Sequence, residues 1–220
     1  MIKFTISSHI NSYEKTFNVL IPTLLSAGIL PNDIYFFIGG YNNYNKIYNK
    51  DNINVYEVPH NSMDFTGLIS VIELGLINDS NYWFLLHDTC YVGSEFNNIL
   101  KSKIYHSDAV ILTNDGFSMN IGLYKNTYIE NKSSEILKLK NIDYTVDGLM
   151  NHKRVLINSE DIFIKNFKTN FYLNSKPRIT TNADNFYQNN IKRICEYFPD
   201  IDLYKIKANW NLKPIYELNV

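Results

Sequence analysis

The first ninety residues alternate between short apolar runs and longer amphipathic segments. Residues 34–38 and 82–86 are unbroken apolar runs, the pattern of strands buried on both faces of a parallel sheet. Apolar residues recur every three to four positions in residues 13–28 and 65–77, which predicts two helices. Ser12 and Asp64 immediately precede these helices and are predicted to cap them. Two further strands are predicted at residues 2–6 and 53–58.

These elements follow the order strand, helix, strand, strand, helix, strand. Such alternation predicts an α/β fold, Rossmann-like, with a mostly parallel central sheet flanked by helices. The second half is less regular. For it we predict strands at 108–113 and 119–124, helices at 133–139, 161–166 and 185–197, and a tail from Lys205 whose structure stays open. Because no repeat or change of composition marks a boundary, a single domain over residues 1–220 is expected.

Composition narrows the class of protein. The chain is 45% hydrophobic and 15% aromatic over 220 residues, enough for a substantial core. Its net charge of -1 gives no electrostatic footprint for nucleic acid or for an anionic membrane. No apolar run reaches the roughly 18 residues that span a bilayer, and the first residues are patterned as a strand rather than as a secretory leader.

The two cysteines, Cys90 and Cys195, do not make a disulfide framework. Cys90 is predicted to be a small buried filler rather than a nucleophile. Cysteine usage and the absence of a leader pattern favour a cytoplasmic protein, which could also be one domain of a longer chain.

The run at residues 82–86 ends on His87 and Asp88, the first candidates for chemistry. Open α/β sheets bind ligands at the carboxyl ends of their strands, and Mg²⁺ or Mn²⁺ is held by one or two carboxylates together with substrate phosphates. Asp88 could therefore bind a metal ion, although Asp is also common in turns after strands. His87 is open to three roles: a further ligand, a donor to phosphate, or a buried structural histidine.

A second candidate is the run Ser159, Glu160 and Asp161. Carboxylates at a capped helix start can simply complement the helix dipole. A positioned carboxylate is also what deprotonating a sugar hydroxyl requires. The chain has neither a Gly-x-Gly-x-x-Gly after its first strand nor a P-loop, which disfavours dinucleotide and P-loop enzymes.

The segment from Leu85 to Gly93, with Ser159, Glu160 and Asp161 downstream, resembles the nucleotide-sugar-dependent glycosyltransferases of the GT-A fold. In that family an apolar strand ends in Asp-x-Asp, often followed by Thr. Asp88 and Thr89 match the second Asp and the Thr, whereas Leu86 stands at the first Asp. The expected metal role therefore falls on Asp88 alone.

The resemblance implies a GT-A-like sheet with a nucleotide-binding half at about 1–95 and an acceptor-binding half at about 96–220. Asp161, with Glu160 beside it, would be the base. Ser8 and His9 would contact the nucleotide, residues 61–64 with Asp64 would approach the base and ribose, and residues 116–122 would border the acceptor. The basic residues that could neutralise the diphosphate are Lys176, Arg178 and Arg193.

The function implied is transfer of a sugar from a nucleoside-diphosphate sugar to a glycan or other hydroxyl acceptor. Mn²⁺ or Mg²⁺ would assist, and a base at Asp161 favours inversion of configuration. One alternative is a non-catalytic nucleotide- or carbohydrate-binding module, since one carboxylate of the motif is missing. A nucleotidyltransferase is less favoured, because the loop after the first strand lacks the Gly-rich, basic character of those enzymes.

Overall fold

A computed structural model describes residues 1–41, 45–103, 108–112, 120–157, 171–172, 178–182 and 193–208. The strands are β1 (Ile2–His9), β2 (Ile34–Gly39), β3 (Lys46–Lys50), β4 (Ile53–Val58), β5 (Tyr82–His87), β6 (Cys90–Val92), β7 (Ala109–Ile111), β8 (Gly122–Lys125), β9 (Phe171–Tyr172), β10 (Arg178–Asn182), β11 (Arg193–Phe198) and β12 (Leu203–Ala208). The helices are α1 (Tyr13–Ser26), α2 (Thr66–Glu73), α3 (Phe96–Lys103), α4 (Asn126–Leu137) and α5 (Val146–Ile157).

Within the described residues, the larger sheet has eight strands in the order β3-β4-β2-β1-β5-β8-β7-β9. The neighbours β4, β2, β1 and β5 are parallel, and β3 and β8 run against their neighbours. The predicted mostly parallel α/β sheet with flanking helices is therefore confirmed. The predicted division near residue 95 stays a prediction.

A second, antiparallel sheet was not predicted. Its order is β10-β11-β12-β6, with Leu203 of β12 opposite Val92 of β6. Only Asp88 and Thr89 separate the end of β5 from the start of β6, so the chain passes directly from one sheet to the other. Phe198 and Leu203 of this sheet belong to the same buried cluster as Phe4 and Phe84 of the larger sheet, so the two sheets share a hydrophobic core.

The apolar runs of the parallel strands are buried on both faces, as their pattern predicts. On β5, Phe84 and Leu86 pack into the cluster on the α1 side, while Trp83 and Leu85 pack into the cluster on the α2 side. The alternation of side chains along a strand produces this division. The buried central strands thereby fix the positions of the residues that directly follow their carboxyl ends.

Several predicted elements differ in the structure. The helix predicted at 185–197 is wrong over residues 193–197, which belong to β11 and pair with β12; residues 185–192 lie outside the described residues. The strand β3 was not predicted; it is a polar edge strand whose side chains are mostly exposed. The helices α3 and α5 were not predicted.

The ends of other elements also shift. The helix predicted at 133–139 begins earlier, at Asn126, and the one predicted at 65–77 ends at Glu73. The strand β1 continues through His9 instead of giving way to a loop at residue 7. The helix predicted at 161–166 lies outside the described residues. In the part of the chain that the structure describes, no helix is long and apolar enough to cross a membrane.

Candidate functional site at the strand ends

The carboxyl ends of β1 and β5 lie side by side. The two strands are parallel neighbours, and Ser7 of β1 is in register with His87 of β5. The residues that follow, Ser8 and Asp88, therefore emerge at the same edge of the sheet. This is the edge at which open parallel sheets bind ligands.

Asp88 is held by two hydroxyl groups from the chain around β1. Ser12 Oγ donates to Asp88 Oδ2 at 3.1 Å, and Ser8 Oγ approaches the same oxygen at 3.4 Å. Ser12 is the N-cap residue of α1, as predicted, but its hydroxyl makes no capping bond and is directed to Asp88 and to the carbonyl of His9. The two serines fix the direction of the Asp88 carboxylate.

Asp64 brings a second carboxylate to this edge from a turn before α2. The prediction that Asp64 caps α2 is wrong, since Phe65 is the N-cap residue. Instead, Ser7 Oγ donates to the Asp64 carbonyl at 2.9 Å and accepts from the Gly67 amide at 2.8 Å. A Cβ on Gly67 would lie 2.4 Å from Thr5 Oγ1, so glycine permits this close approach of α2 to β1.

The carboxylate of Asp64 affects the ionisation of Asp88. Burial and the nearby Asp64 charge raise the pKa of Asp88 to about 6, while Lys205 and the two serine hydrogen bonds oppose this increase. A raised carboxyl pKa means that the ionised form is costly here. A cation arriving between Asp64 and Asp88 would relieve that cost.

His87 is buried and neutral in this setting. Burial lowers the pKa of His87 to about 3, although Asp64 acts in the opposite direction. His87 Nε2 lies 3.1 Å from Asn120 Oδ1, and Nδ1 lies 2.6 Å from Lys205 Nζ. Because an ammonium group can only donate, Nδ1 is the acceptor and the proton is on Nε2, which donates to Asn120.

Lys205 reaches this edge from β12 of the second sheet. Its amine also donates to Thr89 Oγ1, and the residue is only 6% exposed. Asp64 Oδ1 lies 3.4 Å from the same His87 nitrogen that Lys205 contacts. We call the group formed by Ser8, Ser12, Asp64, His87, Asp88 and Lys205 the strand-end cluster.

A second set of buried polar residues supports the turn that carries Asp64. We call His60, Asn61, Ser62, Ser70 and Asn141 the loop network. His60 Nδ1 lies 2.9 Å from Ser62 Oγ, and His60 Nε2 lies 3.1 Å from Ser70 Oγ. Asn141 donates from its side chain to the Asn61 carbonyl at 3.1 Å and from its backbone to Ser62 Oγ at 3.0 Å.

The loop network holds a turn that includes a backbone conformation unusual for a residue with a side chain. Met63 has φ of 49°, in the left-handed region, and its amide donates to Asn61 Oδ1 at 3.2 Å. Such a conformation costs of order 1 kcal/mol and persists only where surrounding contacts enforce it. The network therefore sets the position from which Asp64 faces the cluster.

The donor set suits a hard divalent cation that also binds a substrate. Asp64 and Asp88 offer carboxylate oxygens, the ligands that Mg²⁺ and Mn²⁺ prefer. Among the described residues, no three His, Cys, Asp or Glu side chains form a group that could hold a metal ion. A cation here would need substrate oxygens to complete its shell, which fits the binding of a metal–phosphate complex.

A cleft of about 420 Å³ opens beside the cluster. Ser12, which bonds Asp88, lies in its wall, together with Tyr13 and Tyr41. This volume is within the range of small-molecule sites. Ser12 is the residue of the strand-end cluster that lines this cleft.

The other predicted site residues are placed as follows. His9 ends β1, and burial lowers its pKa. Arg178 lies on β10 opposite Tyr197, and Arg193 begins β11. Glu160, Asp161 and Lys176 lie outside the described residues, as do residues 116–119 of the segment 116–122 that was predicted to border the acceptor. Leu86 is fully buried in the core, so it is not part of this edge.

Sequence reasoning missed Lys205, Asn120 and the role of Ser12. Lys205 follows Leu203 by two residues, so both lie on the same face of β12. Reading that alternation as a strand would have placed the amine on a core-facing side, but no local signal shows that the strand pairs with β6. Cys90 is buried, as predicted, and neither Cys90 nor Cys195 forms a disulfide bond.

No protein-family model and no curated protein matches the chain. Among solved structures, the chain is similar to the crystal structure of S. aureus TarS 1-349, with a TM-score of 0.39 and 9% sequence identity. The similarity covers 59% of this chain and 49% of that one, so this chain spans about half the length of the matched structure.

Proposed function

We propose that the protein is a glycosyltransferase that binds a nucleoside-diphosphate sugar at the strand-end cluster. The observation that carries the proposal is Asp88, which leaves a buried parallel strand at the ligand-binding edge and is oriented by Ser8 and Ser12. Asp64 supports it by supplying the second carboxylate that the sequence lacks at Leu86. The adjoining cleft offers room for the nucleoside.

In this proposal the residues have three roles: binding the metal ion, orienting Asp88, and acting as the base. Asp88 and Asp64 would hold Mn²⁺ or Mg²⁺, and the ion would supply positive charge to the diphosphate leaving group. Ser8 and Ser12 keep Asp88 directed at that position. Asp161, with Glu160 beside it, is the proposed base that would take the proton of the acceptor hydroxyl, which implies inversion; the acceptor is a glycan or another hydroxyl compound.

The experiment measures binding and turnover together. Titration calorimetry with Mn²⁺ and each common nucleoside diphosphate should give binding to the wild-type protein. Asp88→Asn should weaken that binding about 100-fold, because it removes a charged ligand while keeping the size of the side chain. Release of nucleoside diphosphate from a panel of nucleotide sugars, with and without acceptors, should fall in parallel.

Asp108→Asn is the matched control, since Asp108 is an exposed carboxylate in a surface pair with Lys125. Its binding should equal that of the wild type. Unchanged binding by Asp88→Asn would contradict the proposed site. Tight binding without turnover on any nucleotide sugar would instead indicate a non-catalytic nucleotide-binding module.

A further inference from the structure

Lys205 is a buried cation whose partners are neutral. It is 6% exposed, and its amine bonds only His87 Nδ1 and Thr89 Oγ1 among the described residues. The first partner is an uncharged imidazole nitrogen, because the ammonium group can only donate and His87 Nδ1 must therefore accept. Buried charges in proteins are normally paired with an opposite charge, and among the described residues this amine has no such partner.

The geometry leaves the amine able to take a further acceptor. An ammonium group has three hydrogens, and the two described bonds use two of them. Within the described part of the chain, no carboxylate lies within ion-pair distance of Lys205 Nζ. The nearest charged neighbours are Asp64, which shares His87 Nδ1 with it, and Asp88, whose pKa it lowers.

The amine is also reachable from the edge of the sheet. The Asp64 side chain is 43% exposed, and Asp88 and Thr89 are partly exposed. An anion that approaches the two carboxylates would therefore come near Lys205, which contacts the same His87 nitrogen as Asp64. Without the positive charge of Lys205, the two carboxylates would repel a phosphate group.

We propose that Lys205 binds a phosphate oxygen of the nucleoside diphosphate, and that it does so with or without a divalent cation. This inference rests on the proposed function, which places the diphosphate at the strand-end cluster. The second sheet would then have a binding role, because β12 delivers the one amine that touches both His87 and Thr89. The metal ion and Lys205 would act on the same diphosphate from different sides of the carboxylates.

The test compares variants in EDTA and in Mn²⁺, with two probes: the nucleoside diphosphate that binds best and inorganic pyrophosphate. In EDTA the wild type should bind both. Lys205→Met should weaken the binding of both at least tenfold in EDTA, and the loss should persist in Mn²⁺. Lys205→Gln should lose binding to a similar extent, because it keeps a hydrogen-bond donor but removes the charge.

Lys132→Met is the control, since Lys132 has a similarly shielded amine, with its side chain 15% exposed, but pairs with Glu135 on α4. It should bind like the wild type. Folding of every variant is checked by circular dichroism and thermal unfolding.

Dissociation constants of folded Lys205→Met or Lys205→Gln within twofold of the wild-type value would overturn the inference. So would failure of both variants to fold, which would make Lys205 a purely structural cation. Failure of the proposed function has a different signature: the wild type would bind no nucleoside diphosphate in Mn²⁺. Pyrophosphate binding that depends on Lys205 would still support the inference in that case.

Discussion

The strand-end cluster and the loop network are both polar, and each contains a buried, neutral histidine. In the loop network, each ring nitrogen of His60 meets a serine hydroxyl, and the hydroxyls are themselves bonded onward. In the strand-end cluster, His87 lies among Lys205, Asp64 and Asp88, so charges surround it. The first arrangement pairs its polar groups within the described part of the chain, whereas in the proposed function a ligand balances the charges of the second.

This difference separates a stabilising region from a binding region. A polar network of neutral groups with every partner in place contributes to stability and uniqueness of the fold. A cluster with two interacting carboxylates costs stability, and such cost is common where proteins bind and react. Three expected results test whether the two regions differ in this way.

The largest expected effect is the loss of stability when a carboxylate replaces Leu86. Leu86→Asp would restore the motif that the sequence lacks, but Leu86 is fully buried in the core on the α1 side. We expect the free energy of unfolding to fall by about 4 kcal/mol, because a charge would enter an apolar cluster. We expect no gain in Mn²⁺ affinity, since Asp64 already supplies the second carboxylate. Urea unfolding and Mn²⁺ titration measure both.

Leu86→Asn serves as the matched control, because it has nearly the same shape without the charge. It should lose less stability than Leu86→Asp at neutral pH. Tighter Mn²⁺ binding by Leu86→Asp would contradict the assignment of Asp64 to the site.

The second effect tests the completeness of the loop network. Asn141→Ala removes the side-chain bonds to the carbonyls of Asn61 and Asp143 and leaves the buried carbonyl of Asn61 unsatisfied. We expect a loss of about 2–3 kcal/mol in the free energy of unfolding. Asn98→Ala, at an exposed position on α3, should change it by less than about 0.5 kcal/mol. Equal effects of the two substitutions would show that the network does not stabilise the turn.

The smallest effect is a pH dependence that the two histidines should share. Burial lowers the pKa of His60 to about 4 and that of His87 to about 3. As the pH falls below about 6.5, the unfolded chain takes up protons that the folded protein refuses, so stability decreases. Asp88 acts oppositely, because its pKa of about 6 lets the folded protein take up a proton first.

The histidine effect should exceed that of Asp88, so the free energy of unfolding should fall between pH 7 and pH 5. In His60→Gln this fall should shrink by about 2 kcal/mol, the share expected from a pKa lowered to that extent. Chemical unfolding at the two pH values gives the comparison. An identical fall in wild type and variant would mean that His60 titrates normally.

The sequence predicted the parallel sheet better than the antiparallel sheet, as β5 and β11 illustrate. The apolar run at residues 82–86 identified β5 because a strand buried on both faces needs no information from its neighbours. Residues 193–197 were predicted as helix because Ile194 and Cys195 fit helical spacing with Ile191, and the deciding partner, β12, is encoded elsewhere. Local pattern cannot report such pairing.

The same limit applies to the candidate site. Asp88 was found because a carboxylate directly after an apolar strand is a local signal. Asp64 was identified as a nucleotide contact, but its closeness to His87 depends on the turn that the loop network holds. Lys205 carried no local signal, because its proximity to the site depends on β12 pairing with β6.

The bond between Lys205 and His87 joins residues 118 positions apart in the chain. Contacts of such long separation carry a large loop-closure cost and slow folding. During synthesis, β1 through β5 emerge long before β12. The parallel strands can therefore assemble before Lys205 has been synthesised. The binding site is therefore expected to mature last, and a nascent chain would acquire its sheet well before it acquires its ligand.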